Sequence, residues 1–239
     1  MNLLVTVCAR GGSKGIPGKN LKPVCNKPLI AYSIECALKF ADLLDADVTI
    51  STEDDNIKKA AERYNLKTEY KRPLELATDT IGKIPVLRDI WKYEETRNHK
   101  KYDYFLDLDV TSPLRTMDDL LNAFNIIRND SEALNLYSVS PAHRNPYFNM
   151  VEEGEKGYIK LCKILPRNIF SRQQAPKVYD VNASFYFYTR AFYEQNLMSA
   201  TTERTLVYVV PHICFDLDEA IDFEFLSYLF ENNKLNFAI

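Results

Sequence analysis

Residues 9–20 read Ala9-Arg10-Gly11-Gly12-Ser13-Lys14-Gly15-Ile16-Pro17-Gly18-Lys19-Asn20 and contain four of the seven glycines in the chain. The run before this glycine-rich loop, Leu3-Leu4-Val5-Thr6-Val7, is short, apolar and β-branched, as in a buried strand. After the loop, Pro28 opens a segment whose apolar residues recur at helical spacing. The chain therefore begins with a strand, a glycine-rich loop and a helix, in that order.

The glycine-rich loop has the composition of an anion-binding loop. Glycines allow positive φ and bring backbone N–H groups close to a ligand. Three cations and no carboxylate lie in the loop, so we expect it to bind a polyphosphate. The spacing fits neither a P-loop nor a G-x-G-x-x-G dinucleotide motif. A basic surface loop whose glycines only turn the chain is the alternative. The candidate phosphate contacts are Arg10, Lys19 and the backbone N–H groups of Gly11, Gly12 and Ser13.

The composition describes a globular chain of 239 residues, 46% hydrophobic and 26% charged. A net charge of -3 argues against general nucleic-acid binding, so a polyanion site must be local. The five cysteines form an odd set without a C-x-x-C pair, which is typical of reduced thiols. No apolar stretch approaches about 18 residues, and no signal sequence precedes the first strand. We therefore expect a cytoplasmic protein that does not span a membrane.

Short strands and helices alternate along the chain. We expect strands at residues 3–7, 48–51, 68–71, 104–108, 133–139, 183–188, 206–210 and 212–215. Helices are expected from Pro28, at 54–64, at 84–97, from a Thr116 N-cap, and at 218–232. This alternation predicts an α/β fold with a doubly wound, mostly parallel sheet that binds ligands at the carboxyl ends of its strands.

The alternation stops at an insertion, residues 141–180, where Pro146, Pro166 and Pro176 interrupt the pattern and seven lysines and arginines accumulate. A loop of this length in a compact domain usually has a function, so we expect a substrate cap, a dimerisation arm, or both. A solvated surface excursion is the alternative. The whole chain, 1–239, is expected to form one domain that carries this insertion.

Two Asp-x-Asp pairs are candidate metal ligands. Asp216 and Asp218 follow an apolar run near the last helix, and Asp107 and Asp109 end another strand. Residues two apart in a strand share a face, and Mg²⁺ takes a few carboxylates while leaving its other positions to water and phosphate. Either pair suits the metal, and Asp218 could instead cap the final helix.

The glycine-rich loop resembles the N-terminal signature of the acylneuraminate cytidylyltransferases, also called CMP-sialic acid synthetases. Further matches follow in the family's order along nearly the entire chain: Arg72-Pro73 with Leu76-Ala77-Thr78-Asp79-Thr80, Thr111-Ser112-Pro113-Leu114-Arg115, Arg172-Gln173-Gln174, Asn182-Ala183 and Asp216-Leu217-Asp218. Several spaced motifs in the right order are far more specific than any one alone. The sequence is identified as a member of this family.

The resemblance implies transfer of CMP from CTP to the anomeric hydroxyl of a nine-carbon 2-keto sugar acid, a nonulosonic acid, with release of pyrophosphate and with Mg²⁺. It assigns the metal to Asp216 and Asp218 rather than to the other pair. Asp216 is also a candidate acceptor of the hydroxyl proton, and Arg10 and Lys19 are the candidate catalytic cations. The implied nucleotide contacts, beside those of the loop, are Asn20, Arg72, Asp109 and Ser112.

The resemblance also implies a homodimer with shared active sites. Arg172 matches a position that reaches the neighbouring subunit's sugar, and a guanidinium is a natural bidentate partner for a carboxylate. The candidate sugar contacts are Arg172, Gln173, Asp180 and Asn182. Two acidic residues depart from the best-known sialic acid version, Asp180 in place of an arginine and Asp109 in place of a glutamine. Legionaminic acid, pseudaminic acid and Kdn therefore remain open as acceptors.

Three other functions compete with this one. A nucleotidyltransferase of the same fold could act on a different sugar or cofactor. A non-catalytic module could bind CTP without releasing pyrophosphate. A glycosyltransferase could use an Asp-x-Asp motif with a nucleotide sugar, although the triphosphate-type loop argues against it.

Overall fold

The computed structural model describes residues 1–12 and 15–239. Ser13 and Lys14, which belong to the predicted phosphate loop, lie outside the described residues. The described strands are β1 (Leu3–Cys8), β2 (Pro23–Val24), β3 (Lys27–Pro28), β4 (Asp47–Ser51), β5 (Tyr104–Asp109), β6 (Asn135–Pro141), β7 (Val151–Glu153), β8 (Ile159–Leu161), β9 (Tyr179–Thr189) and β10 (Thr205–Val209). The α-helices are α1 (Leu29–Leu44), α2 (Asp55–Arg63), α3 (Lys83–Asn98), α4 (Met117–Arg128), α5 (Arg190–Glu194) and α6 (Ala220–Glu231).

The main sheet has six strands in the order β10-β6-β9-β5-β1-β4. Five of them run parallel, and β9 runs antiparallel between β6 and β5. Helices cover both faces, so β1 is buried from Leu3 to Val7 and reads as a continuous apolar run. The prediction of a doubly wound, mostly parallel sheet is confirmed.

Strand β5 shows how the sheet separates its two cores. Leu106 and Leu108 pack in the core that contains apolar residues of α1, α2, α4 and α6. Phe105 belongs to the second core, beneath α3 and α5. Because side chains alternate along a strand, Asp107 and Asp109 lie on the same face as Phe105, toward α3. The helix that begins at Lys83 therefore starts above two carboxylates.

The predicted N-cap at Thr116 is present at the start of α4. Asp119 Oδ2 accepts a hydrogen bond from the Thr116 backbone N–H at 2.7 Å, and the Asp119 N–H donates to Thr116 Oγ at 3.1 Å. This capping box satisfies donors that the first turn would otherwise leave unpaired.

Within residues 1–12 and 15–239, none of the helices is both long and apolar enough to cross a membrane.

Two predicted strands are wrong. Residues 68–71 belong to no sheet, so β4 remains the edge of the main sheet, and next to it the Arg72 N–H donates to Thr52 O at 3.1 Å. Residues 212–215 also lie outside the sheet. Pro211 has no N–H to continue the ladder, so the pairing of β10 with β6 ends just before it.

The insertion, residues 141–180, is called the arm below. It contains the antiparallel hairpin β7–β8, which forms its own two-stranded sheet separate from the main one. The arm starts at the end of β6 and returns at the start of β9, which pair with each other. Its two ends are therefore held together at the edge where the parallel strands terminate.

Candidate active site

A cleft of about 420 Å³ opens at the carboxyl ends of β1 and β5. In the main sheet β4 pairs with one side of β1, and β5, which comes later in the chain, pairs with the other side. The cleft therefore lies at a topological switch point of the sheet. It is lined by Cys8, Ala9, Arg10, Gly15, Lys19, Asn20, Arg72, Leu76, Thr78, Asp79, Ile81, Lys83, Val86, Asp109, Val110, Thr111 and Asp218. These residues are called the cleft below.

The glycine-rich loop lies directly against the Asp216–Asp218 segment. A Cβ on Gly15 would be 2.3 Å from the carbonyl oxygen of Asp218, so only glycine allows this approach. The Lys19 ammonium donates a hydrogen bond to the carbonyl oxygen of Leu217. Arg10 and Lys19 near the amino end therefore line one cleft with Asp218 near the carboxyl end, and Asp216 is not among the lining residues.

Other loop contacts fix the backbone around Arg10. The Asn20 Nδ2 donates to the Arg10 carbonyl oxygen at 2.9 Å, and Asn20 Oδ1 is buried without a hydrogen-bond partner. The Arg10 guanidinium pairs with Asp79 at 2.6 Å at the cleft. The Gly11 N–H, a predicted phosphate donor, donates to Glu53 Oε1 at 2.7 Å. Glu53 was not identified from the sequence, because a carboxylate after a strand carries no distinctive spacing.

Arg72 and Ser112 are more buried than ligand contacts usually are. Arg72 is 5% exposed and donates to Ser51 Oγ at 2.9 Å and to Ser51 O at 2.7 Å, although it still lines the cleft. Ser112 is fully buried, with its carbonyl oxygen accepting from Ser184 Oγ at 2.8 Å, and it does not line the cleft. Arg115 of the same motif is buried as well and donates to the carbonyl oxygen of Asp109 at 2.6 Å.

The pair Asp107 and Asp109 is occupied by a lysine that sequence reasoning missed. Lys83 Nζ lies 2.6 Å from Asp107 Oδ2 and 2.5 Å from Asp109 Oδ2. Burial alone would lower the pKa of Lys83, but the two carboxylates outweigh it and hold that pKa well above its usual value. Burial would raise the pKa of Asp109, but Lys83 and the Thr111 hydrogen bonds lower it. The only sequence signal was a lysine at the start of a helix.

Asp216 and Asp218 flank Leu217, which is fully buried and donates its N–H to Thr111 O at 2.9 Å. Asp218 does not cap α6, because the cap residue is Glu219, whose N–H donates to Asp222 Oδ2 at 2.8 Å. Burial, with Asp109 and Asp218 nearby, raises the pKa of Asp216.

The donor set of this pair suits Mg²⁺. Among the residues that the structure describes, no group of three or more His, Cys, Asp or Glu side chains is placed to hold a metal ion. Mg²⁺ does not require one, since one or two carboxylates with substrate phosphates are its usual protein ligands. Asp216 and Asp218 adjoin the loop that carries Lys19, whereas Asp107 and Asp109 already pair with Lys83. The first pair fits the ion better than the second.

The four candidate sugar contacts lie outside the cleft of the same chain. Arg172 donates to the carbonyl oxygen of Ala142 at the base of the arm, and Gln173 is exposed beside it. Asp180 Oδ2 accepts from the His143 N–H at 3.2 Å. Asn182 is buried, with Oδ1 accepting from Ser138 Oγ at 2.6 Å. These residues cluster where the arm joins the sheet.

Comparison with known proteins gives a consistent family. The family model described as cytidylyltransferase matches residues 4–235. The flagellin modification protein B of Campylobacter coli is 37% identical over 98% of this chain and 97% of its own. The CMP-N,N'-diacetyllegionaminic acid synthase of Campylobacter jejuni is 36% identical over the same shares.

A solved structure supports the same fold. The CMP:2-keto-3-deoxy-manno-octonic acid synthetase, determined in complex with CTP, superposes with a TM-score of 0.69 at 18% identity. The match covers 98% of this chain and 100% of that one. Fold, full-length family match and relatives above 30% identity agree, and the chain belongs to the cytidylyltransferase family.

Proposed function

We propose that this cytidylyltransferase transfers CMP from CTP to the anomeric hydroxyl of a nonulosonic acid and releases pyrophosphate. The relative that is 36% identical over nearly the full chain is named for CMP-diacetyllegionaminic acid synthesis, and another at 31% identity is a pseudaminic acid cytidylyltransferase. The observation that carries the proposal is the single cleft that joins Arg10 and Lys19 to Asp218.

In this proposal the loop cations hold the triphosphate. Arg10 and Lys19 both line the cleft, and the Lys19 ammonium already lies beside the carboxylate segment through Leu217 O. The Gly11 N–H would become available to a phosphate only if it left Glu53. Because negative charge spreads over the oxygens in phosphoryl transfer, catalysis here consists mainly of positioning and fixed positive charge.

The attacking oxygen is the anomeric hydroxyl of the sugar. It forms a bond to the α-phosphorus of CTP while the bond from that phosphorus to the bridging oxygen of pyrophosphate breaks. Mg²⁺, held by Asp216 and Asp218, would supply charge compensation and orient phosphate oxygens. Asp216 is the carboxylate we expect to accept the hydroxyl proton.

A homodimer with shared sites completes the proposal. The arm exposes a large set of apolar side chains, more than 70% exposed at the three extremes: Phe148, Met150, Val151, Tyr158, Ile159, Ile164, Phe170 and Tyr179. A large amount of exposed apolar surface is typical of a protein interface. Arg172 would then approach the partner's cleft rather than its own.

The five free thiols support a cytoplasmic location.

The test is pyrophosphate release by the purified protein with CTP, Mg²⁺ and a panel of acceptors. N,N'-Diacetyllegionaminic acid is the acceptor we expect to be used, and pseudaminic acid, Kdn and N-acetylneuraminic acid complete the panel. CTP is compared with UTP, ATP and GTP on the best acceptor. Binding of CTP without pyrophosphate release from any acceptor would instead identify a binding module.

A further inference from the structure

Lys83 occupies a position that its helix does not favour. It is the first residue of α3, a helix of 16 residues with no acidic residue in its first turn. A cation at a helix N-terminus opposes the helix dipole. Natural sequences break such local rules mainly at functional sites. The placement of Lys83 is therefore decided by what its ammonium contacts and not by the helix.

The contact that anchors Lys83 is a fully buried carboxylate. Asp107 is 0% exposed, and neither of its oxygens has a hydrogen-bond partner, so the ammonium 2.6 Å away is its charge compensation. A buried carboxylate without a cation is costly. Lys83 is therefore held in one place, while its side chain keeps 31% exposure and lines the cleft.

Asp109 is held from two sides. Its Oδ1 accepts from the Thr111 N–H at 3.2 Å and from Thr111 Oγ at 3.1 Å, and its Oδ2 lies against Lys83. A carboxylate has about four acceptor sites and an ammonium has three donors, so each group keeps capacity for a ligand. Both side chains line the cleft. Together they present one acceptor and one donor side by side.

The charge of Lys83 also acts on the reacting groups. Asp109 and Asp218 line the same cleft as the Lys83 ammonium. Without Lys83, two uncompensated carboxylates would lie beside the Asp216–Asp218 segment and repel a triphosphate.

We propose that Lys83 is a positioning residue for the reaction: anchored by Asp107, it fixes Asp109 at the cleft wall, and the Lys83–Asp109 pair presents a donor and an acceptor to the bound substrate. The proposal rests on the proposed function.

The experiment measures pyrophosphate release with CTP and the best acceptor, with kcat and KM determined separately for each substrate. The variants are Lys83→Met, Lys83→Arg and the double variant Lys83→Met/Asp107→Asn, which removes the orphaned buried charge and protects the fold. The matched control is Lys92→Met, an exposed lysine on the same helix. Thermal unfolding of each variant separates stability from activity.

We expect Lys83→Met to lower kcat on the order of 10²-fold and Lys83→Arg to recover part of it, because the charge returns without the same geometry. The double variant should regain the wild-type unfolding temperature but not the wild-type kcat, since no ammonium holds Asp109 in place at the cleft wall. Lys92→Met should match the wild type. A normal kcat in Lys83→Met, or full recovery of kcat in the double variant, overturns the proposal and leaves the function intact.

Failure of the proposed function has a different signature. If the wild type releases no pyrophosphate with any acceptor, CTP binding by calorimetry decides the role of Lys83. A loss of affinity of at least about tenfold in the double variant supports it, and equal affinity overturns it. If the wild type does not bind CTP, both proposals fall.

Discussion

Gly15 and Asp218 touch although 203 positions separate them in the chain, since a methyl group at Gly15 would lie 2.3 Å from the Asp218 carbonyl oxygen. The contact joins the glycine-rich loop to the carboxylate segment, and the hydrogen bond from Lys19 to Leu217 O reinforces it. The approach of the predicted phosphate-binding loop to the predicted metal ligands therefore depends on the absence of a side chain at Gly15.

Replacing Gly15 with alanine tests this contact. Backbone atoms block the new methyl group, so the loop or the Asp218 segment must move, which we expect to lower the free energy of unfolding by about 1–3 kcal/mol. Pyrophosphate release should fall more than stability does, because the cations and carboxylates separate. Chemical denaturation and steady-state kinetics measure the two effects.

Gly12→Ala is the control for stability. No atom of the residues that the structure describes lies within 4 Å of a Cβ at Gly12, so the unfolding free energy of this variant should stay within about 0.5 kcal/mol of the wild type. Equal stability of Gly15→Ala and Gly12→Ala would show that the loop is free to move away from Asp218.

Replacing Lys19 with methionine removes a charge from the cleft while keeping much of the side-chain volume. We expect kcat to fall on the order of 10²-fold, because a fixed cation beside the transferring phosphate is lost. The fold should persist, since the hydrogen bond to Leu217 O is the one that the Lys19 side chain makes within residues 1–12 and 15–239. Activity with CTP and the best acceptor, together with the melting temperature, checks both statements.

Lys22→Met is the matched control for Lys19. Lys22 is exposed, its ammonium lies 4.3 Å from the centre of the Phe223 ring, and it does not line the cleft. Turnover in this variant should equal that of the wild type. If both lysine variants lose the same activity, the effect is one of general surface charge and Lys19 holds no specific phosphate.

The stability that Asp109 contributes should depend on pH in a defined direction. Its pKa is lower in the folded protein than the ordinary 3.8, so the folded state binds fewer protons there than the unfolded state. The contribution is then complete above pH of about 4 and is lost as pH falls through the folded pKa. We expect Asp109→Asn to cost about 1–2 kcal/mol at pH 7.

Urea denaturation of wild type and Asp109→Asn from pH 7 to pH 3 measures this dependence. The difference between the two proteins should stay constant down to about pH 4 and shrink below it. A difference that does not change over the whole range would mean that the ionised carboxylate of Asp109 has no special partner in the folded protein.

The sheet was predictable because its signals are local. The buried run at β1 and the capping box at Thr116 each determine their element within a few residues. The two wrong strands, residues 68–71 and 212–215, have strand composition but pair with no strand of the sheet. Pairing is a long-range property, and a single sequence does not display it.

The candidate site was predictable only in part for a related reason. The positions of Lys19 and Asp218 follow from motifs, and the fold brings them together. Lys83 and Glu53 have no motif, since each acquires its role from a partner distant in the chain. The ion pair of Lys83 with Asp107 and the hydrogen bond of Glu53 with Gly11 exist only after folding.

Two inactive variants should restore each other if the active sites are shared. We expect Lys19→Met and Arg172→Ala each to be nearly inactive alone. In a mixed dimer, one cleft combines the intact Lys19 of the first subunit with the intact Arg172 of the second, and the other cleft has neither. Random mixing of equal amounts makes half of the dimers mixed. In each mixed dimer one of the two sites works, so the mixture should have about a quarter of wild-type activity.

The mixing experiment distinguishes a role of Arg172 in its own cleft from a role in the cleft of the other subunit. In the structure Arg172 lies at the base of the arm, hydrogen-bonded to Ala142 O and outside the cleft of its own chain, which is why we place its role in the cleft of a second subunit. If Arg172 served its own cleft, every site in the mixture would lack either Lys19 or Arg172, and mixing would restore nothing. Subunits are exchanged by mild denaturation and refolding, and light scattering confirms the dimer. Lys22→Met mixed with Arg172→Ala gives the reference, because every cleft there retains Lys19 and only the supply of Arg172 varies.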